Sequence, residues 1–116
     1  MLPQNNRLSA KKDFEKIFKK GLKFKEDFLF LRATRNGKKE SRYAFIVSPK
    51  VSNKAALRNK IKRRLRGLAA ANMPKIKKGL DIVLLVNPGL EKKDFWEIEE
   101  IFQKIFQKAN LFISLK

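Results

Sequence analysis

Between Lys50 and Arg66 the chain reads KVSNKAALRNKIKRRLR, and this stretch constrains the rest of the molecule. Eight of its residues are Lys or Arg, and none is Asp or Glu. Within it Leu57, Ile61 and Leu65 recur every four residues, and Leu68 and Ala69 continue the stripe. Residues three and four apart share one face of a helix. The spacing therefore predicts a helix from a cap at Ser52 or Asn53 to about Ala71, with its apolar side buried. Arg58, Lys62 and Arg66 form the adjacent stripe, Asn59 and Arg63 the next, with Lys60 and Arg64 beyond. No Glu stands four residues away to neutralise any of these cations. A solvated surface is the bland reading of such a helix, and eight unneutralised cations weigh against it. Self-repulsion of this kind is offset by a polyanion, whose phosphates Arg engages bidentately.

The same bias holds for the whole chain. It has 29 Lys and Arg against 11 Asp and Glu, a formal charge of +18, well above the usual range for a folded domain. No acidic residue lies between Glu40 and Asp81, whereas Glu91, Asp94, Glu97, Glu99 and Glu100 crowd the last third. The middle of the chain is thus the expected binding region and the C-terminal segment is not. Nucleic acid is the first partner implied, and an anionic membrane surface the second. With 116 residues, 43% of them hydrophobic, and no repeat or Gly/Ser linker, the chain reads as one domain, 1–116, with its own core. Absence of Cys excludes disulfides and thiolate metal sites. Met1 to Ala10 has no apolar signal-peptide region, and the apolar run Ile82 to Val86 is too short to span a bilayer. A soluble, cytoplasmic protein is expected.

Other elements follow from local patterns. Ser9 to Lys20 reads as a helix capped by Ser9, with Phe14, Ile17 and Phe18 on one side, Leu22 next on that spacing, and Gly21 as its C′ residue. Phe28 to Thr34 reads as a strand, Asn36-Gly37 as a hairpin turn, and Arg42 to Ser48 as the returning strand, ended by Pro49. Asp81 to Val86, bounded by Gly79 and Asn87-Pro88-Gly89, reads as a central strand covered on both faces. Glu91 to Ala109 reads as a helix with Ile98, Ile101, Phe102, Ile105 and Ala109 inward. The order α-β-β-α-β-α indicates an α+β fold, a mixed sheet packed by helices.

The chain lacks histidine and cysteine, and so lacks the commonest general base and the best nucleophile. Glu97, Glu99 and Glu100 have the spacing of a solvated helix face, and glycine patterns that cradle phosphates are missing. No residue of this chain is expected to be catalytic, and no metal ligands are assignable. Asn59 has two readings, a contact to RNA or a hydrated metal, or an ordinary exposed amide. The Phe residues also have two. Stacking on exposed rings is how single-stranded RNA is held, whereas the pattern alone favours core packing for any one of them.

Arg58-Asn59-Lys60-Ile61-Lys62-Arg63, following Val51 and Ala55-Ala56, resembles the basic helix of the bacterial ribonuclease P protein family. Arg7-Leu8, Asp13-Phe14, Ile17-Phe18 and Gly21 resemble that family's opening helix. The likeness covers nearly the whole chain. It implies a small α/β sandwich with a left-handed βαβ crossover, against the right-handed default. It implies a non-catalytic protein subunit of a ribonucleoprotein endoribonuclease that removes the 5′ leader of precursor transfer RNA. Its partners would be the catalytic RNA and that precursor, with no membrane and no protein partner evident, and Mg²⁺ would be held mainly by the RNA. By resemblance, Lys50, Lys54, Arg58, Asn59, Lys60, Lys62, Arg63 and Arg66 face RNA, while Arg7, Phe14 and Phe18 belong to a leader-binding cleft. The chain departs from the pattern at Lys60, which replaces an Arg fork by a point charge, at Pro49, and at Asn87. A cleft tyrosine is also replaced near Leu31 or Arg32. The rival readings are a structural RNA binder such as a ribosomal protein, a DNA-binding helix in a major groove, and a protein nuclease.

Overall fold

The computed structural model describes residues 2–113. At its centre lies β4 (Leu80–Val86), the most apolar strand of the chain. Ile82, Val83, Leu84 and Val86 are buried, and because the strand alternates, both its faces are covered. A strand of this kind is stable only with neighbours on both edges and layers on both sides. It pairs antiparallel with β2 (Leu29–Arg35) and parallel with β3 (Arg42–Val47). A further strand, β1 (Leu22–Glu26), pairs antiparallel with β2, giving the sheet order β1-β2-β4-β3.

The helices flank this sheet. A first helix, α1 (Lys11–Lys20), lies on one face, where Ile17 packs with Leu8, Ala44 and Val83. The second, α2 (Ala55–Asn72), connects β3 to its parallel neighbour β4 in a βαβ crossover. It packs on the opposite face with α3 (Phe95–Lys108). There Ile61, Leu65 and Leu68 of α2 and Ile98, Phe102 and Ile105 of α3 meet Leu29, Leu31, Phe45, Ile82 and Leu84 of the sheet. Phe102 and Phe106 stack with ring centroids 4.3 Å apart, both fully buried. Each such side chain contributes about 1.5–3 kcal/mol by leaving water. The architecture is the α+β sandwich with a mixed sheet that the sequence pattern indicates.

Several local expectations are corrected. The Asn36-Gly37 turn does not close a hairpin, because β4 inserts between β2 and β3. Asn36 instead fastens a loop over the end of β4. Its backbone N–H donates to the Gly79 carbonyl at 3.0 Å, and its Nδ2 to Asp81 Oδ1 at 3.0 Å. The hairpin in this half of the sheet joins β1 to β2 through Asp27-Phe28, with Asp27 at φ 48°. Strand β1 is absent from the sequence reading, since Leu22 continues the helical spacing of α1 and Phe24 is its one residue packed on the core.

Helix α1 starts at Lys11 with Ala10 as N-cap, so Ser9 does not cap it. The preceding backbone is held extended at the edge of β3, where the Leu8 N–H donates to the Tyr43 carbonyl at 2.9 Å. Gly21 ends α1 in extended rather than left-handed backbone (φ −70°). It must be glycine because a Cβ there would lie 2.4 Å from the Ile17 carbonyl oxygen. Neither Ser52 nor Asn53 is the N-cap of α2. That residue is Lys54, whose N–H donates to Ser52 Oγ at 3.1 Å. Helix α3 begins at Phe95 rather than Glu91, because Asp94 and Glu97 form a reciprocal capping box.

Candidate nucleic-acid interface

The apolar stripe of α2 is anchored in the core, so its remaining faces are presented to the outside. Asn59, Lys60, Arg63 and Arg66 are exposed, as are Lys50 and Lys54 at the approach to the helix, while Arg58 and Lys62 are half-buried. Among the described residues no cation from Lys50 to Arg66 pairs with a carboxylate. Arg58 instead donates from Nη1 to the Ser52 carbonyl at 2.7 Å, which braces the first turn of the helix. The amide of Asn59 makes no hydrogen bond to another described residue.

A cleft of about 610 Å³ opens between α2, β3 and the segment leading into α1. Arg63 and Arg66 form its α2 wall, and Arg7, Ser9 and Phe14 the opposite wall. Ala44 and Ile46 of β3 lie between them, and Ile46 is exposed. Arg7 is held there by its backbone pairing beside Tyr43 and by its Nε–H, which donates to the Leu2 carbonyl at 3.0 Å. A concave apolar strip rimmed by guanidinium groups can take a flexible polyanion with its bases inward and its phosphates outward.

Phe18 lies elsewhere. It is 41% exposed and lines a separate hollow with Phe30, Arg32, Leu85 and Asn87 on the same sheet face. Arg32 donates from Nη1 to the Phe18 carbonyl at 2.7 Å, and its guanidinium carbon stands 5.1 Å from the Phe18 ring centroid. That contact holds the ring and satisfies a carbonyl at the end of α1. The two departures of the sequence, Arg32 and Asn87, thus meet at Phe18. Leu31 points into the opposite core and is fully buried. Lys50 and Lys54 line neither cavity.

Besides the packing of Ile17, one ionic cluster fixes α1 over the sheet. Arg42 donates from Nε and Nη2 to the buried Asp81 carboxylate at 2.8 and 2.6 Å, and its Nη1 stands 3.3 Å from Asp13 of α1. Hydrogen bonding to Asp81 is the main reason the Arg42 pKa is raised. Ile46 and Tyr43 line the cleft without being assigned to it from the sequence, whereas the sequence places Arg32 only as one of two residues near the replaced cleft tyrosine. Strict alternation along β3, which opposes Ile46 to Phe45, was the available signal for Ile46.

An unneutralised cationic helix beside an aromatic-bearing cleft defines a small basic α+β protein suited to binding a nucleic-acid strand. The sequence model of the Ribonuclease P family matches residues 2–110. The ribonuclease P protein component of Pseudanabaena sp. is 33% identical over 112 residues, covering 96% of this chain and 97% of that protein. The RNase P protein from Thermotoga maritima superposes with a TM-score of 0.80 at 32% identity, covering 88% of this chain and 96% of that one. The Staphylococcus aureus RNase P protein superposes with a TM-score of 0.87 at 25% identity, covering 93% and 98%. The chain belongs to the bacterial ribonuclease P protein family.

Proposed function

We propose that this chain binds the catalytic RNA of ribonuclease P and holds the 5′ leader of precursor transfer RNA, assisting endonucleolytic release of the mature 5′ end. The observation that carries this reading is the double placement of Arg63 and Arg66. Both belong to the unneutralised helix, and both form a wall of the cleft that contains Phe14. Lys50, Lys54, Arg58, Asn59, Lys60 and Lys62 would face the catalytic RNA. Arg7 and Phe14 would hold the leader, with Phe18 and its Arg32 partner further along the sheet face. The residues of this chain bind and orient. The hydrolytic step, attack of an activated water on a phosphodiester, is assigned to the RNA and the Mg²⁺ it holds. Among the described residues no group of three or more carboxylates converges where a cation could be held.

The test is cleavage of precursor transfer RNA at low Mg²⁺ by a bacterial ribonuclease P RNA, with and without this protein. The expected result is restored, accurate leader removal, and no cleavage by the protein alone. RNA binding that never aids cleavage would favour a purely structural RNA binder instead.

A further inference from the structure

Trp96 is the single tryptophan of the chain and, at 73%, the most exposed large hydrophobic residue among those described. It stands on the first turn of α3 beside Phe95, itself 41% exposed. The two rings meet edge to face, with centroids 5.5 Å apart and planes at 84°. This pair contributes nothing to the core clusters. Phe95 lines a groove of about 480 Å³ between α2 and α3, on the side of α2 away from β3, and Trp96 adjoins that lining through its contact with Phe95. The α2 wall of that groove carries Lys60, Arg63 and Arg64, and among the described residues Glu99 is the one carboxylate lining it. The neighbouring acids are engaged elsewhere: Glu97 with the Asp94 N–H and Lys93, and Glu100 with Lys104.

Gly67 supplies the second observation. It lies inside α2 between the cleft bearing Phe14 and this groove, and lines both. Among the described residues, a Cβ added there would meet nothing within 4 Å, and its backbone is ordinary helix. No packing contact among the described residues and no backbone angle requires glycine at this position, yet glycine is among the poorest helix formers. A bare helix surface flanked by Arg63, Arg64 and Arg66 is what a sugar–phosphate chain needs to cross the helix at close range.

We propose that the α2–α3 groove is a second RNA-contact site, in which an unpaired nucleobase stacks on Phe95 and the adjoining Trp96 while its strand crosses α2 over Gly67. The net positive wall selects a polyanion over a neutral peptide, and exposed aromatic faces beside cations are the general platform for unstacked bases. The proposal rests on the reading of this chain as an RNA binder, and the test separates the two.

Because Trp96 is the only tryptophan and packs on Phe95, its emission reports this edge of the molecule. The protein is titrated with bacterial ribonuclease P RNA, and separately with precursor and mature transfer RNA, while binding is followed independently by the anisotropy of the labelled RNA. Expected are quenching of Trp96 and its shielding from acrylamide in step with binding. Trp96→Ala should weaken binding about 5- to 100-fold, Trp96→Phe less. Gly67→Gln should weaken binding while raising the melting temperature. The RNA that quenches identifies the source of the base. Undiminished binding by Trp96→Ala and Gly67→Gln, with Trp96 emission unmoved at saturation, overturns the second site and leaves the proposed function standing. Shielding of Trp96 that grows with protein concentration without RNA makes the groove a contact between copies and also overturns it. Absence of any RNA binding overturns both readings.

Discussion

Tyr43, the only tyrosine of the chain, shows how one residue can serve packing at a chemical cost. It is 3% exposed, and its hydroxyl has no hydrogen-bond partner among the described residues. Burial, aided by the charge of Glu40, pushes its pKa up to about 12. Below pH 10 the phenol is neutral in both folded and unfolded chains and has no effect on pH dependence. Between about pH 10 and 12 the unfolded chain loses the proton first, so stability falls with rising pH, by about 2–3 kcal/mol in total. Urea unfolding across that window should show this loss against Tyr43→Phe, in which it is absent. At neutral pH the same substitution should cost little, because it removes a donor that satisfies nothing.

At the scale of elements, the decisive joint is that of α1 with the sheet. Helix α1 has one fully buried residue, Ile17, and no side-chain cap at its N-terminus. Its position over β2 and β4 therefore depends heavily on Arg42, which faces Asp81 across the parallel pair and reaches Asp13. Arg42→Ala would leave the Asp81 carboxylate buried with Asn36 as its one side-chain donor among the described residues. The expected cost is about 3–5 kcal/mol, the scale for stranding a buried charge. Asp13→Ala breaks only the longer, more exposed contact and should cost about 0–1 kcal/mol. Urea titrations give both values, and faster hydrogen exchange along α1 in Arg42→Ala would show that this helix loosens. Since α1 carries both Phe14 and Phe18, the same substitution should also weaken binding at the cleft.

For the whole molecule the governing quantity is the net charge of +18 held within extents of 36 × 35 × 25 Å. Most of these cations lie within a few screening lengths of one another, about 8 Å each at physiological salt. Added salt should therefore act in opposite directions on the free protein and on its complex. The melting temperature of the free protein should rise as repulsion is screened, while RNA affinity falls. Each phosphate contact should contribute a slope of about −0.9 in log K against log salt for duplex RNA and about −0.7 for a single strand. A flat binding response would contradict a phosphate-dominated interface.

What local sequence could determine was what repeats at short range. The stripe Leu57-Ile61-Leu65 defines α2 and turns its cations outward, the unbroken run Ile82 to Val86 marks the central strand, and Ile98 to Ala109 marks the inner side of α3. Each pattern carries its period within one element, so no partner is needed to read it. The basic character of the interface was legible for the same reason. The tertiary structure alone decided which strands are neighbours. The turn dipeptide Asn36-Gly37 is compatible with a hairpin, but the chain buries more by placing β4 between β2 and β3, a choice set by area covered on two faces at long range. That choice also admits β1 as an edge strand, a segment with too few inward residues to be read alone. It separates Phe14 from Phe18, which share a helix face yet open into different hollows, since exposure depends on what lies opposite a ring rather than on its spacing along the chain. Gly67 and Phe95 become meaningful only when α2 and α3 pack side by side and leave a groove between them, because a surface shared by two elements has no counterpart in the period of either.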